Sequence, residues 1–570
     1  MENREIIKLF KLTASLLELH DENPFKVRGY LNAVGALERT EVPLSQLSPK
    51  ELEQLEGVGK GIAAKIQELQ ETGTFPELKK LLADTPPGVV EMLRLKGIGP
   101  KKIRSIWKDL GVDTTEMLLE ACESNQLASV KGFGAKTQET VRQALLFAQA
   151  NKGKRLYAEV EDITGELLTV LREKLNTDQV REVGALRRRL DVIETLELLA
   201  ATDQPQQVTQ IMAEFAALEK DETRSGPFTW RGKEKESGLP VEVKTVPEKN
   251  FVNQLFLSSG SAEHLASLHR EFPHLLPLVR KETFASEEAI YAEAGLPFIE
   301  PELREGRSEI GLARDKKLPV LVSLEDLKGV LHNHSTYSDG THSLEEMALA
   351  CRDQGYGYLG ISDHSKTAFY AGGLQEFRVR EQQQEIDRLN QELAPFRLFK
   401  GIESDILPDG ALDYEEEVLA SFDFIVASIH GNLQMDLRKA TDRLLRAIEN
   451  PYTTILGHPT GRLLLRREGY PIDHKAVIDA CAAHGVIMEI NANPWRLDLD
   501  WRWVEYALAQ GVWISINPDA HSTRGYADMK YGVLMGRKGG LTKEQTFNAL
   551  SADEVGAYFE ERKKKKGVRS

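Results

Sequence analysis

The sequence predicts a multidomain α and α/β protein, helical at its N-terminal end and alternating between strands and helices beyond residue 325. Three observations lead there. Over the first 150 residues apolar side chains recur at three- and four-residue spacing, as in Ile6-Ile7, Leu9-Phe10 and Leu12, then Ala14, Leu16-Leu17. From about 155 to 315, short apolar runs such as Val180 to Gly184 and Leu239 to Val246 read as strands mixed with helices. Beyond 325, apolar strands end again and again in a histidine or an acid, separated by helix-like segments at 344–352 and 476–483. That alternation argues for a parallel α/β barrel or sheet, whose functional groups lie at the C-terminal strand ends. The expected domains are 1–150, helical; 151–315, mixed; and 325–560, α/β. The charged stretch 304–324 reads as a linker, and the polar stretch 223–237 as a loop between strands.

Bulk properties agree with several cores. At 570 residues, 41% hydrophobic and 28% charged, the chain is too long for one domain. Cys122, Cys351 and Cys481 form no CxxC pair, so neither a disulfide framework nor a zinc ribbon is expected, and a reducing cytoplasm fits. The start MENREIIKLF lacks the apolar core of a signal peptide, and no 18-residue apolar run is present, so no membrane association is expected. The net charge of −15 does not favour nucleic acid, but phosphate contacts are local. The segment from Arg94 through Lys101, Lys102 and Arg104 to Lys108 holds no acid. The basic tail Arg562 to Lys566 reads as a solvated, disordered end.

Within the helical part, Gly57-Val-Gly59, Gly97-Ile-Gly99 and Gly132-Phe-Gly134 interrupt the pattern. Each is read as following a helix with an apolar end and preceding a Lys-bearing one, a weak repeat of about 40 residues. Such a turn either connects two helices tightly or offers backbone N–H groups to a phosphate, with Lys60, Lys101 and Lys102 adding charge. No P-loop follows any of them.

In the last part, His332-Asn-His334 would place two imidazoles on one face of a strand. Asp339, His364, Glu403, His430, His458, Asp519 and His521 follow at further strand ends and turns. Imidazole and carboxylate donors suit zinc, manganese or iron, and this many exceed one tetrahedral ion; two or three ions would use them. Clustered divalent ions activate water and clamp phosphoryl oxygens. His342, His474 and His484, at helix or loop positions, read as structural.

These motifs, with Asp363-His364, Gly401-Ile-Glu403, Ser428-x-His430, Gly457-His458-Pro459 and Asp519-x-His521, resemble the PHP (polymerase and histidinol phosphatase) family over about 200 residues. The resemblance implies a distorted (β/α)7 barrel with three metals. His332, His334, Glu403 and Asp519, the expected catalytic group, would hold one ion. Glu403 would bridge to a second, held by His430 and His458. Asp339, His364 and His521 would hold the third. Glu489-Ile-Asn491 resembles a supporting segment.

The three Gly-x-Gly turns resemble helix-hairpin-helix modules, which bind DNA backbones without sequence preference. Leu55 to Ile66, and Asn23-Pro-Phe-Lys26 to Tyr30, resemble the N-terminal domain of family X DNA polymerases. There the lysine matching Lys65 forms a Schiff base with an abasic sugar in some members; Lys65 is read either as that lyase residue or as a plain phosphate-contacting or exposed lysine. The resemblance to bacterial family X polymerases with a C-terminal PHP domain continues through 151–315, implying a nucleotidyltransferase-like palm and thumb. Here the chain departs from the family. Gly184-Ala185-Leu186-Arg187-Arg188 replaces Gly-Ser-x-Arg-Arg, Thr195-Leu196-Glu197 replaces Asp-x-Asp, Glu242 replaces the third Asp, and Leu257 to Ser261 replaces Tyr-Phe-x-Gly-Ser. Magnesium needs near-ideal octahedral geometry, and a group misplaced by about 1 Å loses about a hundredfold in rate. A different register would instead offer Asp191 or Asp203.

The expected function is thus a cytoplasmic, monomeric DNA-repair nuclease with manganese, zinc or iron in its barrel. It would act on gapped, 3′-recessed or damaged DNA and remove 3′ nucleotides, with nucleotide addition lost or weak and magnesium at the palm doubtful. The alternatives are an active gap-filling polymerase with the barrel as proofreader, a small-molecule phosphatase, and a non-catalytic DNA adaptor.

Overall fold

The computed structural model describes the chain except Glu2, Glu41, Lys96, Gly97, Lys131, Lys566 and 568–570. It forms two compact units, Met1–Lys152 and Gly153–Ser570.

The first unit is helical. Ser48 caps Pro49–Gln54 with a reciprocal Glu51 box, and Asn23 caps Pro24–Glu38, which begins on proline. Their apolar faces meet in a core containing Phe10, Tyr30, Ile66, Phe75 and Ile103. In each Gly-x-Gly turn the middle residue (Val58, Ile98 or Phe133) is buried, while Gly59, Gly99 and Gly134 cap the helices Lys60–Thr72, Pro100–Leu110 and Ala135–Ala150. Gly57 and Gly132 take φ of 86° and 90°, which explains glycine there. The third turn departs from the expected pattern: the 3₁₀ turn Leu127–Ser129, not an α-helix, leads into it.

The second unit opens with seven strands: β1 (Arg155–Leu156), β2 (Val180–Glu182), β3 (Val192–Ile193), β4 (Leu196–Ala201), β5 (Leu218–Lys220), β6 (Thr229–Glu234) and β7 (Pro240–Val246). β1 pairs with β3, and the others form one mixed sheet in the order β2-β4-β7-β6-β5. The polar stretch expected to be a loop therefore contains β6, antiparallel to both β5 and β7. Only Trp230 of β6 is buried, so the apolar alternation that reveals a strand is missing from its sequence.

The expected linker is also ordered. Arg304 is fully buried, bonded to Glu287 at 2.5 Å and to the Ile299 carbonyl, and Glu309 opens the helix Glu309–Arg314 while pairing with buried His264 at 2.7 Å. These charges are internal ion pairs, not a solvated connector.

Seven further strands complete the unit: β8 (Gly329–Val330), β9 (Tyr358–Ile361), β10 (Arg397–Asp405), β11 (Phe424–Ser428), β12 (Ile455–Leu456), β13 (Ile487–Asn491) and β14 (Ile514–Asn517). All neighbours run parallel, in order from β14 to β8. A parallel bridge between Asn333 and Ala520, with His334 N–H on the Ala520 carbonyl at 2.8 Å, joins the two ends. The tail expected to be disordered is the helix Ala552–Lys565: Phe559 stacks on Phe424, and Arg562 donates to carbonyls of Thr453, His484 and Gly485. Lys566 lies outside the described residues.

Candidate metal centre

The nine donors predicted at strand ends come together at the open end of the barrel. Glu403, on β10, is the hub. Its Oε1 lies 3.2 Å from His332 Nε2, 3.1 Å from His430 Nε2 and 3.0 Å from His458 Nε2. Its Oε2 lies 2.9 Å from His364 Nδ1 and 3.7 Å from His334 Nε2. Asp519 Oδ1 approaches His334 Nε2 at 3.1 Å and His332 Nε2 at 3.5 Å. Asp339 Oδ1 sits 3.3 Å from His521 Nε2 and 3.6 Å from His364 Nε2.

The donor atoms form four overlapping groups: His332, His334 and Asp519; His332, Glu403 and His458; His364, Glu403 and His430; and His334, Asp339, His364 and His521. Asp339, His364 and His521 fall in one group with His334, whereas His430 and His458, read together from the sequence, fall in separate groups that share Glu403. Glu403 is shared between two groups, as a bridging carboxylate requires. One premise of the reading fails: His332 and His334 are not on a strand. β8 stops at Val330, and His332 turns with φ 65°. His458 and Asp519 also have positive φ, of 21° and 51°. Left-handed backbone at three donors is the kind of local strain that functional sites retain.

Supporting groups hold the rings. His332 Nδ1 lies 2.6 Å from Glu489 and His430 Nδ1 2.5 Å from Asp405. Asn491 donates to Asp519 at 3.0 Å and Asn517 to Glu489 at 2.9 Å. The sequence singled out Glu489 and Asn491 but missed Asp405. The signal was there: Glu403 and Asp405 are two apart on one strand and share a face. Buried Asp363 accepts from Ser335, Ser338 and Gln382 and braces the loop after His334. His474, read from the sequence as structural, stacks on Trp503 with ring centres 4.6 Å apart.

Burial and charge compete throughout the cluster. Burial opposes the charged form of His430, but Glu403 and Asp405 outweigh it and raise its pKa to about 10. His521 rises to about 9 in the same way, beside Asp339 and Asp519. Burial and the neighbouring His521 and His364 push His334 down to about 3. Burial opposes ionisation of Glu403, yet the surrounding histidines hold its carboxyl well below the usual range.

The five-stranded mixed sheet contrasts with this. Glu197 and Glu242 are register partners on β4 and β7, and Thr195 immediately precedes β4. Lys244 Nζ lies 3.5 Å from Glu197 and 3.0 Å from Glu242, and Arg231 Nε lies 2.5 Å from Glu242. Burial alone would raise the Glu242 pKa; Lys244 and Arg231 lower it. The Glu197 carboxylate tucks against Gly184, where a Cβ would lie 1.9 Å from its Oε2. Arg187 pairs with Glu287, and Arg188 with Glu305 at 3.0 Å. Ala185 packs against the sheet core. Asp191 is buried near Arg462, and Asp203 lies beyond the end of β4.

In the N-terminal unit, Lys65 Nζ lies 2.9 Å from Glu77 and 4.8 Å from the Tyr30 ring centre. Lys26 pairs with the same carboxylate, and the Tyr30 hydroxyl donates to it at 2.5 Å. Of the DNA-contact candidates, Gly57, Gly59, Lys60, Gly99, Lys101, Gly132 and Gly134 are exposed and Lys102 is half-buried. Gly97 lies outside the described residues.

Comparisons with known proteins follow this division. Residues 1–75 match the helix-hairpin-helix domain, 89–145 a SAM-like helix-hairpin-helix tandem, and 331–493 the PHP domain. The chain is 36% identical to the DNA polymerase/3′-5′ exonuclease PolX of Bacillus subtilis over 98% of its own length and 99% of that protein's. It is 25% identical to a probable phosphatase of a Thermoanaerobacter species, over 41% of this chain and 96% of that one. A probable phosphatase of Caldanaerobacter subterraneus is 28% identical over 30% of this chain and 68% of its own.

Proposed function

The chain belongs to the family of the DNA polymerase/3′-5′ exonuclease PolX, and on that premise we propose that it is a DNA-repair enzyme whose barrel hydrolyses phosphodiesters from the 3′ end. The observation carrying this reading is the convergence of six imidazoles on three carboxylates in one buried pocket. Among the described residues, His332 Nε2 and His364 Nδ1 are buried, near Glu403, and make no hydrogen bond. Ring nitrogens left this way fit divalent ions as missing partners.

His332, His334, Glu403 and Asp519 would hold one ion, Glu403 would bridge to a second held by His430 and His458, and Asp339, His364 and His521 would hold a third, with manganese the activating ion and zinc or iron also suited. Bound divalent ions supply water activation near neutral pH and a clamp on phosphoryl oxygens. The chain does the rest. Glu489 and Asp405 accept Nδ1–H from His332 and His430, which fixes the tautomer and turns each Nε2 lone pair into the pocket. The N-terminal modules hold gapped, 3′-recessed or damaged DNA by its backbone. Lys65 is the residue proposed for abasic-sugar chemistry. Three buried free cysteines suit a cytoplasmic enzyme, and the proposal needs one copy of the chain.

Nucleotide addition is proposed to be lost or weak. Lys244 and Arg231 already neutralise Glu197 and Glu242, and Arg187 and Arg188 are committed to Glu287 and Glu305. Among the described residues, the Glu197 and Glu242 carboxylates each lie beside a cation, which disfavours magnesium there.

The test is labelled gapped DNA with manganese, with and without nucleotides. The primer is expected to shorten in both. Glu403→Gln and Asp519→Ala are expected to abolish shortening while DNA binding persists; shortening retained in Asp519→Ala, free of contaminating nuclease, removes the assignment. Robust templated extension that vanishes in Glu197→Ala overturns the polymerase part. The phosphatase-named relatives cover only 41% and 30% of this chain, and the helix-hairpin-helix modules favour DNA over a small phosphomonoester.

A further inference from the structure

Next to the donor cluster is a loop that metal binding does not explain. Immediately after His364, residues 366–373 leave the barrel and return, with both feet pinned. Ser365 N–H donates to the Glu403 carbonyl at 3.0 Å, and Leu374 N–H to the His364 carbonyl at 2.8 Å. The Thr367 N–H donates to Asp413 at 2.7 Å, and its hydroxyl lies 3.0 Å from Asp405, the carboxylate that orients His430. Gly373 is packed so tightly that a Cβ there would lie 1.9 Å from the Ser365 carbonyl. Ala368 and Ala371 are buried. Between them, in the 3₁₀ turn Phe369–Ala371, the side chains of Phe369 and Tyr370 are 80% and 73% exposed.

Adjacent exposed aromatic rings forgo hydrophobic stabilisation, and these anchors keep them from folding inward. Their position has a direction. The Tyr370 ring lies 6.1 Å from the His364 ring, beside the donor cluster. Arg496 Nε is 3.5 Å from Asp519 Oδ2. Arg467 donates to the carbonyl of Gly461, whose N–H in turn bonds the carbonyl of the donor His458 at 2.9 Å, and among the described residues no carboxylate pairs with Arg467. Exposed aromatic rings and guanidinium charge thus both lie beside the donor cluster.

We propose that Phe369 and Tyr370 form a stacking platform for the unpaired bases at the 3′ end of a single DNA strand, with Arg467 and Arg496 receiving the adjoining phosphates. The proposal rests on the reading of this pocket as a DNA hydrolase and names the substrate form it takes. Every base has a π face, so stacking accepts any sequence, whereas a base held in a duplex stays on its neighbours until it frays. Arginine and phosphate supply the matching charge.

The test uses the full chain and an oligonucleotide carrying 2-aminopurine as its 3′-terminal base, either unpaired on an overhang or paired in a blunt duplex. Terminal fluorescence is expected to fall on binding of the overhang and far less for the duplex. Phe369→Ala with Tyr370→Ala is expected to abolish that fall and raise KM for single-stranded 3′ ends about tenfold, while Tyr370→Phe keeps both near wild type. Bound manganese per chain is expected to be unchanged in all variants. An overhang signal that does not fall in the wild type, or falls equally in the double variant, overturns the proposal. So does loss of bound manganese with the signal, because the loop would then be bracing His364. A normal stacking signal without hydrolysis leaves the platform standing and removes the nuclease reading instead.

Discussion

Asp405 shows how a residue outside the donor set acts on the site. It accepts from His430 at 2.5 Å and from Thr367 at 3.0 Å, so one carboxylate fixes a ring and an adjoining loop foot. Replacing it with Asn keeps the shape but removes the charge that favours Nδ1–H on His430. Asp405→Asn is expected to weaken manganese affinity about 10- to 100-fold with little change in thermal midpoint, measured by chelator competition and calorimetry. Unchanged affinity would mean that His430 is held by packing alone. Most donors were legible because they follow an apolar strand run; Asp339 instead lies in the polar turn after His334. The left-handed turn at His332 was not, because only the closing contact between Asn333 and Ala520, nearly two hundred positions apart, reveals it.

Elements were readable where one face is apolar and obscure where it is not. The Gly-x-Gly turns could be placed because a buried Val58, Ile98 or Phe133 sits between glycines. β6 was missed because a strand with one buried side chain has no period to detect, and its identity comes from two antiparallel neighbours. The helices after these turns carry a prediction of their own. Gly59 and Gly99 cap without side chains; Ile62 and Lys102 N–H already bond to the cap carbonyls and Pro100 has none, so the open helix ends offer only their outermost amides to phosphate oxygens. Exposed Lys60 and Lys101 add charge at the same ends. Each of Lys60→Ala and Lys101→Ala is expected to reduce the slope of log affinity against log salt by about one and to weaken binding equally for all sequences, as read by fluorescence anisotropy across a salt series. A variant with an unchanged slope would place that lysine away from the DNA backbone.

At the scale of the whole second unit, one buried lysine joins segments far apart in sequence. Lys538 is fully buried, paired with Glu305, bonded to the Arg188 carbonyl at 3.0 Å and seated 4.4 Å over the Trp501 ring. Glu305 belongs to the stretch that reads in sequence as a linker; its charges look solvated until the partners supplied by 188 and 538 are known. Burial lowers the Lys538 pKa to about 8 from 10.5, with Arg188 adding to the drop and Glu305 and Asp191 opposing it. The sign follows from proton binding. The unfolded chain keeps this proton up to about pH 10.5, whereas the folded chain releases it near 8. Across that window the unfolded state binds more protons, so this residue makes stability rise with pH, by a few kcal/mol on the order of magnitude. Lys538→Met fills similar volume and leaves Glu305 paired with Arg188. Groups remote from Lys538 are common to both chains and cancel in the difference. The stability of wild type minus that of Lys538→Met, from denaturant unfolding, is therefore expected to be flat below pH 8 and to climb between about 8 and 10.5. Two parallel curves over that range would show that Lys538 keeps an ordinary pKa in the fold and that water reaches it.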